Sequence, residues 1–160
     1  MDEHVPMTPH GQQILKEELR RLKEERPKIS RDIEEARGHG DLSENAEYHA
    51  AKEKQGHVEA RIRELETKLA LAQVIDPARL SGSRVVFGAT VKLTDCDNGD
   101  EVVYRIVGDD ESDIKQGLIS ISAPLARAMI GHEPGETVRL KTQKGMREYE
   151  IVEVRFEAVS

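Results

Sequence analysis

The first half of the chain carries two stripes of apolar residues with matching helical spacing. In each stripe the positions alternate between steps of three and four residues, which places the side chains along one face of a helix. The first stripe is Leu15, Leu19, Leu22, Arg26, Ile29, Ile33 and Ala36, and the second is Tyr48, Ala51, Gln55, Val58, Ile62, Leu65 and Leu69. When the two stripes run in opposite directions, facing residue numbers add up to the same value in every layer. The pattern therefore predicts an antiparallel helical hairpin that folds near Leu42.

Two residues disturb the first stripe without ending it. Arg26 is the one charged side chain in it, and Pro27 lies inside the predicted helix. Proline in a helix interior removes a backbone hydrogen bond and costs roughly 3 kcal/mol, so we expect a kink there rather than a break. The residues from Leu15 to Arg37 would reach roughly 35 Å at about 1.5 Å per residue. That length favours an arm that inserts into another molecule, with a dimerisation device or a plain spacer as the alternatives.

The predicted turn carries more chemistry than a spacer needs. A simple reversal requires only Gly, Asn or Asp, and Gly38-His39-Gly40 already supplies it. The residues that we expect to form or support the tip are Asp41, Ser43, Glu44, Asn45, Glu47 and Tyr48, with Arg37 before them and Lys52 after them. This concentration of polar side chains at the end of an arm favours a functional tip.

Asp41 and Glu44 stand three residues apart where the second helix should begin, a spacing that puts both carboxylates on one side of a helical turn. One interpretation is capping, in which Asp41 or Ser43 accepts from free N–H groups and the acids complement the positive helix end. The other is metal binding, because Mg²⁺ commonly takes one or two protein carboxylates and completes its shell with water or phosphate. Two carboxylates alone bind weakly, so we expect no stably bound metal in the free protein and a two-metal arrangement beside another protein's Mg²⁺.

Arg37 and Lys52 flank the turn on opposite arms. They could form a small cationic patch that holds a phosphate backbone near the metal. Alternatively, they are ordinary solvated charges that pair with neighbouring acids such as Glu53.

The net charge and the cysteine content limit the partners and the metal sites that the chain could have. The formal net charge of −7 at pH 7 argues against a protein that coats naked nucleic acid, since such binding neutralises phosphates with Lys and Arg. Cys96 is the only cysteine, which excludes an intrachain disulfide and a thiolate metal cluster. The beginning of the sequence lacks the basic and apolar regions of a signal peptide, and no stretch is apolar enough for a membrane span. We expect a cytoplasmic protein with a protein partner and no membrane association.

The second half of the chain reads as a sheet with one short helix. Asp76-Pro77 and Ser81-Gly82-Ser83 indicate a linker over residues 77–83. Alternation predicts strands at residues 84–94, 101–107, 118–122, 136–142 and 148–156. Asn98-Gly99 is a hairpin signal, and Pro124 and Gly131 bracket a helix over residues 125–130. The predicted fold class is α+β, with a helical hairpin over residues 1–76, its tip near 38–44, and an antiparallel sheet domain over residues 84–160.

The run from Ala36 to Glu53, centred on Gly40-Asp41-Leu42-Ser43-Glu44-Asn45-Ala46-Glu47-Tyr48, closely resembles the signature of the Gre transcript cleavage factors of bacteria. The resemblance extends through residues 72–76, 86–91, 104–111 and 119–127. Within the family the chain looks like the GreA branch, since the GreB branch carries a larger basic patch on the arm. One departure is Ser43, where a lysine is common in relatives.

The resemblance implies a role in transcription elongation. The hairpin would enter the secondary channel of bacterial RNA polymerase and bring Asp41 and Glu44 to the catalytic Mg²⁺, which the factor would share with the polymerase. The polymerase itself would then cleave the backtracked RNA, so the chain would be a cofactor and not an enzyme. Arg37 and Lys52 would lie near the 3′ end of the nascent RNA. We expect the factor to be a monomer.

The resemblance also implies that residues 84–160 form an FKBP-like domain that docks on the polymerase. Two other functions stay open from the sequence. The hairpin could block the polymerase channel as an inhibitor without cleavage chemistry. The FKBP-like fold also suggests a prolyl isomerase, although fold is weak ground for function, and four aromatic side chains would only partly wall a proline pocket. These side chains are Phe87, Tyr104, Tyr149 and Phe156.

Overall fold

The computed structural model describes residues 4–38, 40 and 45–158. Its helices are α1 (Pro9–Arg37), α2 (Ala46–Ala70) and α3 (Pro124–Met129). Its strands are β1 (Val5–Met7), β2 (Ala72–Val74), β3 (Thr90–Asp95), β4 (Glu101–Val107), β5 (Leu118–Ser120), β6 (Thr137–Thr142) and β7 (Gly145–Arg155). Short 3₁₀ helices cover Pro77–Arg79, Asp109–Glu111 and Ile114–Gln116. By internal contact the chain forms a hairpin unit, Gln13–Leu71, and a sheet unit, which joins Met1–Gln12 to Ala72–Ser160.

The predicted seam is the core of the hairpin unit. Its buried cluster consists of Ile29, Ile33, Val58 and Ile62, and Leu19, Leu22, Tyr48 and Ala51 pack against it. All of these residues belong to the two stripes, so apolar side chains from both arms meet in one seam. The predicted antiparallel hairpin is confirmed, and α1 runs through Pro27 without ending there.

Charged side chains flank the seam and join the two arms. Arg26 on α1 makes two hydrogen bonds to Glu59 on α2, Nε to Oε1 at 2.8 Å and Nη2 to Oε2 at 2.7 Å. Arg61 on α2 binds Glu18 on α1 in the same two-point way, at 2.7 and 2.8 Å. The hydrogen bonds from Arg61 lower the pKa of Glu18 below its usual value. Arg26, the charged position in an apolar stripe, therefore forms an interhelical ion pair.

The sheet unit contains a five-stranded sheet in the order β5-β4-β3-β7-β6. The pairs β3–β4, β3–β7 and β6–β7 are antiparallel, whereas β5 is parallel to β4. The α+β class is confirmed, but the sheet is mixed and not wholly antiparallel as predicted. The reason is the connection after β4, which crosses back through two 3₁₀ helices before the chain re-enters the sheet beside β4.

The core of the sheet unit lies between the sheet and α3. Val91, Leu93, Ile106 and Ile151 are fully buried strand residues. Ala126 and Met129 of α3 belong to the same cluster. As predicted, a proline opens this helix and a glycine with φ of +88° follows its end.

Several strand boundaries differ from the alternation pattern. The strand predicted over residues 84–94 begins only at Thr90. Residues 85, 87 and 89 are buried as alternation requires, but Gly88 has φ of +90° and turns the chain before the ladder starts. The alternation therefore predicts correctly which of these residues are buried, but it wrongly predicts that their backbone belongs to the strand. In addition, β5 ends at residue 120 instead of 122, and β7 begins at residue 145 instead of 148.

Near the beginning of the chain lies a strand that the sequence did not predict. β1 pairs in parallel with β2, and the Ile75 N–H extends the contact by donating to the Met7 carbonyl at 2.9 Å. The two compact units therefore have boundaries that differ from the predicted ranges of 1–76 and 84–160. The predicted linker, 77–83, starts with a 3₁₀ helix in which Pro77 is buried. Within the part of the chain that the structure describes, no helix is long and apolar enough to span a membrane.

Candidate functional site at the hairpin tip

The turn between the arms starts as the glycines predict. The Gly38 N–H donates to the Glu35 carbonyl at 3.0 Å and closes the last turn of α1. Gly40 has φ of +106°, a conformation that favours glycine over other residues. The chain thus leaves α1 directly after Arg37.

Asn45 begins α2 and ties it to the end of α1. Its backbone is extended, with φ of −84° and ψ of 99°, and its Oδ1 accepts from the Tyr48 N–H at 3.1 Å. Its Nδ2 donates to the Ala36 carbonyl at 2.6 Å. One side chain therefore satisfies a free N–H at the start of one arm and a free carbonyl at the end of the other. An aspartate could do the first but has no N–H for the second.

Both interpretations of the acids stay open. Asp41, Ser43 and Glu44 lie outside the described residues, so their predicted roles stay predictions. Among the described residues, the N-cap of α2 is Asn45, and the predicted capping by Asp41 or Ser43 also stays a prediction. The sequence named Asn45 only as tip support. The signal for a cap was an asparagine directly before Ala46-Glu47, residues that favour a helical start.

Tyr48 and Glu47, the other predicted support residues, both lie in the first turn of α2. Tyr48 is half-buried against the seam cluster, and its ring meets the His49 ring edge-on, with centroids 5.6 Å apart and planes at 69°. Glu47 is exposed, and a carboxylate in this turn complements the positive end of the helix. Tyr48 therefore anchors the tip to the seam, and Glu47 adds negative charge beside it.

The two predicted cations are exposed, one on each arm. Arg37 is the last residue of α1, where a positive charge suits the helix end. Lys52 lies on α2 and donates from Nζ to Gln55 Oε1 at 3.2 Å. Both side chains can reach solvent, as a phosphate contact requires, but their joint action on RNA stays a prediction.

A groove behind the tip is also acidic. It is lined by Asp32, Glu35, Ala36, Glu47, Ala50, Ala51 and Lys54. Its carboxylates do not converge into a ligand set, because residues 4–38, 40 and 45–158 hold no group of three His, Cys, Asp or Glu side chains that could bind a metal ion.

Comparisons with known proteins find relatives for both halves of the chain. Residues 5–74 match the family model described as transcription elongation factor, N-terminal, and residues 80–156 match transcription elongation factor, GreA/GreB, C-term. Transcription elongation factor GreA of Alkalilimnicola ehrlichii is 60% identical over 154 residues, with 95% of this chain and 98% of that protein covered. GreA of Anaeromyxobacter sp. is 59% identical, with 96% and 93% covered.

Among solved structures, GreA factor homolog 1 of Thermus thermophilus is 28% identical, with 96% of this chain and 99% of that chain covered and a TM-score of 0.44. The match of two family models over most of the sequence confirms the resemblance to the Gre factors. The chain belongs to the GreA/GreB family of transcription elongation factors.

Proposed function

We propose that the hairpin enters the secondary channel of bacterial RNA polymerase and that Asp41 and Glu44 stimulate the polymerase's Mg²⁺-dependent cleavage of backtracked nascent RNA. Arrested elongation complexes would resume synthesis from the new 3′ end. The observation that carries this proposal is the Asn45 bridge, which joins the end of α1 to the start of α2, the two helix ends between which the acids lie in the sequence.

The dimensions of the arm support this role. α1 has 29 residues and α2 has 25, so each helix is roughly 40 Å long at about 1.5 Å per residue. The two arms hold each other through an apolar seam and through the Arg26–Glu59 and Arg61–Glu18 pairs. A helix pair braced along its sides and at its tip can carry two side chains to a distant site without a large loss of position.

The two acids supply the kind of ligand that Mg²⁺ prefers. Ionised carboxylates only accept, and their hard oxygens suit a small divalent cation that keeps water and phosphate as other ligands. The Asn45 amide already bonds Tyr48 and Ala36, so Asn45 supports the site instead of completing it. Asp41 and Glu44 would hold the metal together with the polymerase, and the bound metal would supply activation of a water molecule and stabilisation of the oxygen that leaves the phosphodiester.

The exposed cations complete the proposal for the arm. Arg37 and Lys52 would bind phosphates of the nascent RNA near its 3′ end. Since the chain carries a net charge of −7, these contacts would matter inside the elongation complex and not on free nucleic acid. The bonds that break belong to the polymerase's reaction, so the chain acts as a cofactor and not as an enzyme.

The sheet unit would dock on the polymerase surface. The isomerase alternative gains no support from its aromatic residues, because they serve the unit's own core. Phe87 is a buried member of the core cluster, and Tyr104, Tyr149 and Phe156 pack against that cluster. Side chains used in this way do not wall an open proline pocket.

The direct test is to add the protein to a stalled, backtracked elongation complex with Mg²⁺ and to look for a shortened transcript. We expect cleavage to accelerate with the wild-type protein. A variant with Asp41→Ala and Glu44→Ala should bind the polymerase and fail to stimulate cleavage. Glu34→Ala, which removes an exposed acid of α1 outside the predicted tip residues, is the matched control and should retain activity. A channel inhibitor would instead slow nucleotide addition, and the double variant would inhibit as well as the wild type.

A further inference from the structure

The first turn of α1 is held by a buried carboxylate from a distant part of the chain. Thr8 caps this turn: its Oγ1 accepts from the Gly11 N–H at 3.0 Å, and its carbonyl accepts from the Gln12 N–H at 2.9 Å. The Thr8 hydroxyl in turn donates to Glu111 Oε1. Thr8 is 0% exposed and Glu111 is 6% exposed. All four residues belong to the sheet unit.

The hydrogen-bond directions identify Glu111 as the acceptor. The Thr8 hydroxyl has one proton, and its oxygen already accepts from Gly11, so its proton goes to the carboxylate. The first turn of α1 contains no acidic residue of its own. Glu111 therefore places a negative charge at the positive end of a 29-residue helix. In other helices an acidic residue of the first turn itself often has this role.

The backbone is shaped to admit this contact. A Cβ on Gly11 would lie 2.9 Å from Glu111 Oε1, and a Cβ on Gly108 would lie 2.6 Å from the Pro6 carbonyl oxygen. Gly108 has φ of −71° and ψ of 162°, which any residue can adopt, so the close approach is what requires glycine there. The Glu111 N–H donates to the Gly108 carbonyl at 3.1 Å. Residues 108–111 thus pack closely against residues 6–11.

A contribution to the stability of the fold does not by itself explain why a carboxylate is buried at this position. Among the described residues, Glu111 Oε2 is a buried oxygen with no hydrogen-bond partner. Burying a carboxylate with half of its acceptors unused is costly, and an apolar side chain of similar size would avoid that cost. What an apolar side chain would not supply is a directed hold on the Thr8 hydroxyl.

We propose that Glu111 is a positioning residue that acts through Thr8 to fix the first turn of α1. Because α1 is one helix from Pro9 to Arg37, a looser first turn would leave the start of this helix less firmly held. The consequence for RNA cleavage rests on the proposed function, because only then does the position of the tip carboxylates govern a rate. The hold on the first turn does not depend on it.

The test compares Glu111→Leu, which removes the acceptor, and Thr8→Val with Thr8→Ser, which keeps the hydroxyl. Thr90→Val is the matched control, because Thr90 is another buried threonine of this unit, whose Oγ1 accepts from Arg105 Nε at 3.2 Å. Hydrogen exchange is read at the Gly11 and Gln12 amides. Cleavage of backtracked RNA is read as the maximal rate and as the factor concentration that gives half of it.

For Glu111→Leu and Thr8→Val we expect the two amides to exchange about tenfold faster. The maximal cleavage rate should fall about tenfold, while the half-maximal concentration stays within about twofold. Thr8→Ser and Thr90→Val should match the wild type in both readouts. Unchanged exchange in Glu111→Leu would overturn the proposal, as would an equal loss of maximal rate in Thr90→Val. If the wild type itself stimulates no cleavage, the proposed function fails, and the exchange data still decide the role of Glu111.

Discussion

Asn45 and Ala36 are joined across the hairpin by a hydrogen bond of 2.6 Å from the side-chain amide to the backbone carbonyl. Asn45 also caps α2 through the Tyr48 N–H. The ends of the two arms therefore share one side chain, where separate helices would each need their own cap. This bridge lies one residue after Glu44 and gives the tip a fixed base.

Two substitutions separate the functions of Asn45. Asn45→Asp keeps an oxygen for the Tyr48 N–H and loses the donor to Ala36, whereas Asn45→Ala loses both. We expect the urea midpoint of the helix signal in circular dichroism to fall in the order wild type, Asp, Ala, with a loss of about 1–2 kcal/mol for Ala. Asp76→Ala, which removes the cap of the Pro77–Arg79 helix in the other unit, should leave the hairpin transition in place. An Asp variant as stable as the wild type would show that the Ala36 bond contributes nothing.

The seam predicts a contrast between two isoleucines of the hairpin unit. Ile62 is 0% exposed and Ile14 is 38% exposed. Ile62→Ala leaves a cavity in the seam and should cost about 2–4 kcal/mol of unfolding free energy, whereas Ile14→Ala should cost less than about 1 kcal/mol. Denaturant titration of the helix signal measures both. Equal losses would contradict a core formed by the two stripes.

The same substitution should have opposite effects at two glycines. Gly56 lies within α2 with nothing within 4 Å of an added Cβ, so Gly56→Ala should raise stability by about 0.5–1 kcal/mol through helix propensity. Gly108→Ala would bring its Cβ against the Pro6 carbonyl and should cost about 1–3 kcal/mol. Thermal unfolding midpoints should therefore move up for the first and down for the second. A rise for Gly108→Ala would refute the close packing of residues 6–11 on the 108–111 segment.

Asp95 should give the sheet unit a specific dependence on pH. The Asp97 N–H, which donates to Asp95 Oδ1 at 2.8 Å, and the paired Arg147 lower the pKa of Asp95. A folded-state pKa below the unfolded value of about 3.9 favours folding when the carboxylate is ionised. This stability is present above about pH 4 and is lost as the pH falls through the folded pKa.

The corresponding experiment follows the urea midpoints of the wild type and Asp95→Asn across pH. The wild type should be the more stable at neutral pH, and the difference should shrink below about pH 4. Asp97→Asn, an exposed neighbour, serves as the control for a general change in charge. A difference between the wild type and Asp95→Asn that stays constant from pH 7 to pH 2 would contradict the assignment.

Features that depend on residues close together in the sequence were predictable, and features that depend on distant residues were not. The hairpin was predictable because the spacing of residues such as Ile29, Ile33, Val58 and Ile62 is a local property that both arms repeat. The direction of β5 was not, since it depends on how the chain returns after β4. The Thr8–Glu111 contact joins residues 103 positions apart, and no periodicity reports such a pair.

The candidate site shows the same division. The motif indicated the acids, the flanking cations and the support residues, and the family was confirmed by comparison. The cross-arm bond of Asn45 was not predictable, because the direction of an amide side chain depends on the path of the turn. The roles of Asp41 and Glu44 remain predictions that only chemistry on the polymerase can test.

The proposed function depends most on the two tip carboxylates sharing a metal ion with the polymerase. The most direct measurement is therefore the Mg²⁺ concentration that gives half-maximal cleavage of a backtracked complex, with saturating wild-type protein, with the Asp41→Ala and Glu44→Ala double variant, and with neither. We predict that the wild type lowers the required concentration and that the double variant, although bound, leaves it where it is without any factor. A double variant that lowers the Mg²⁺ requirement as far as the wild type does would contradict the account.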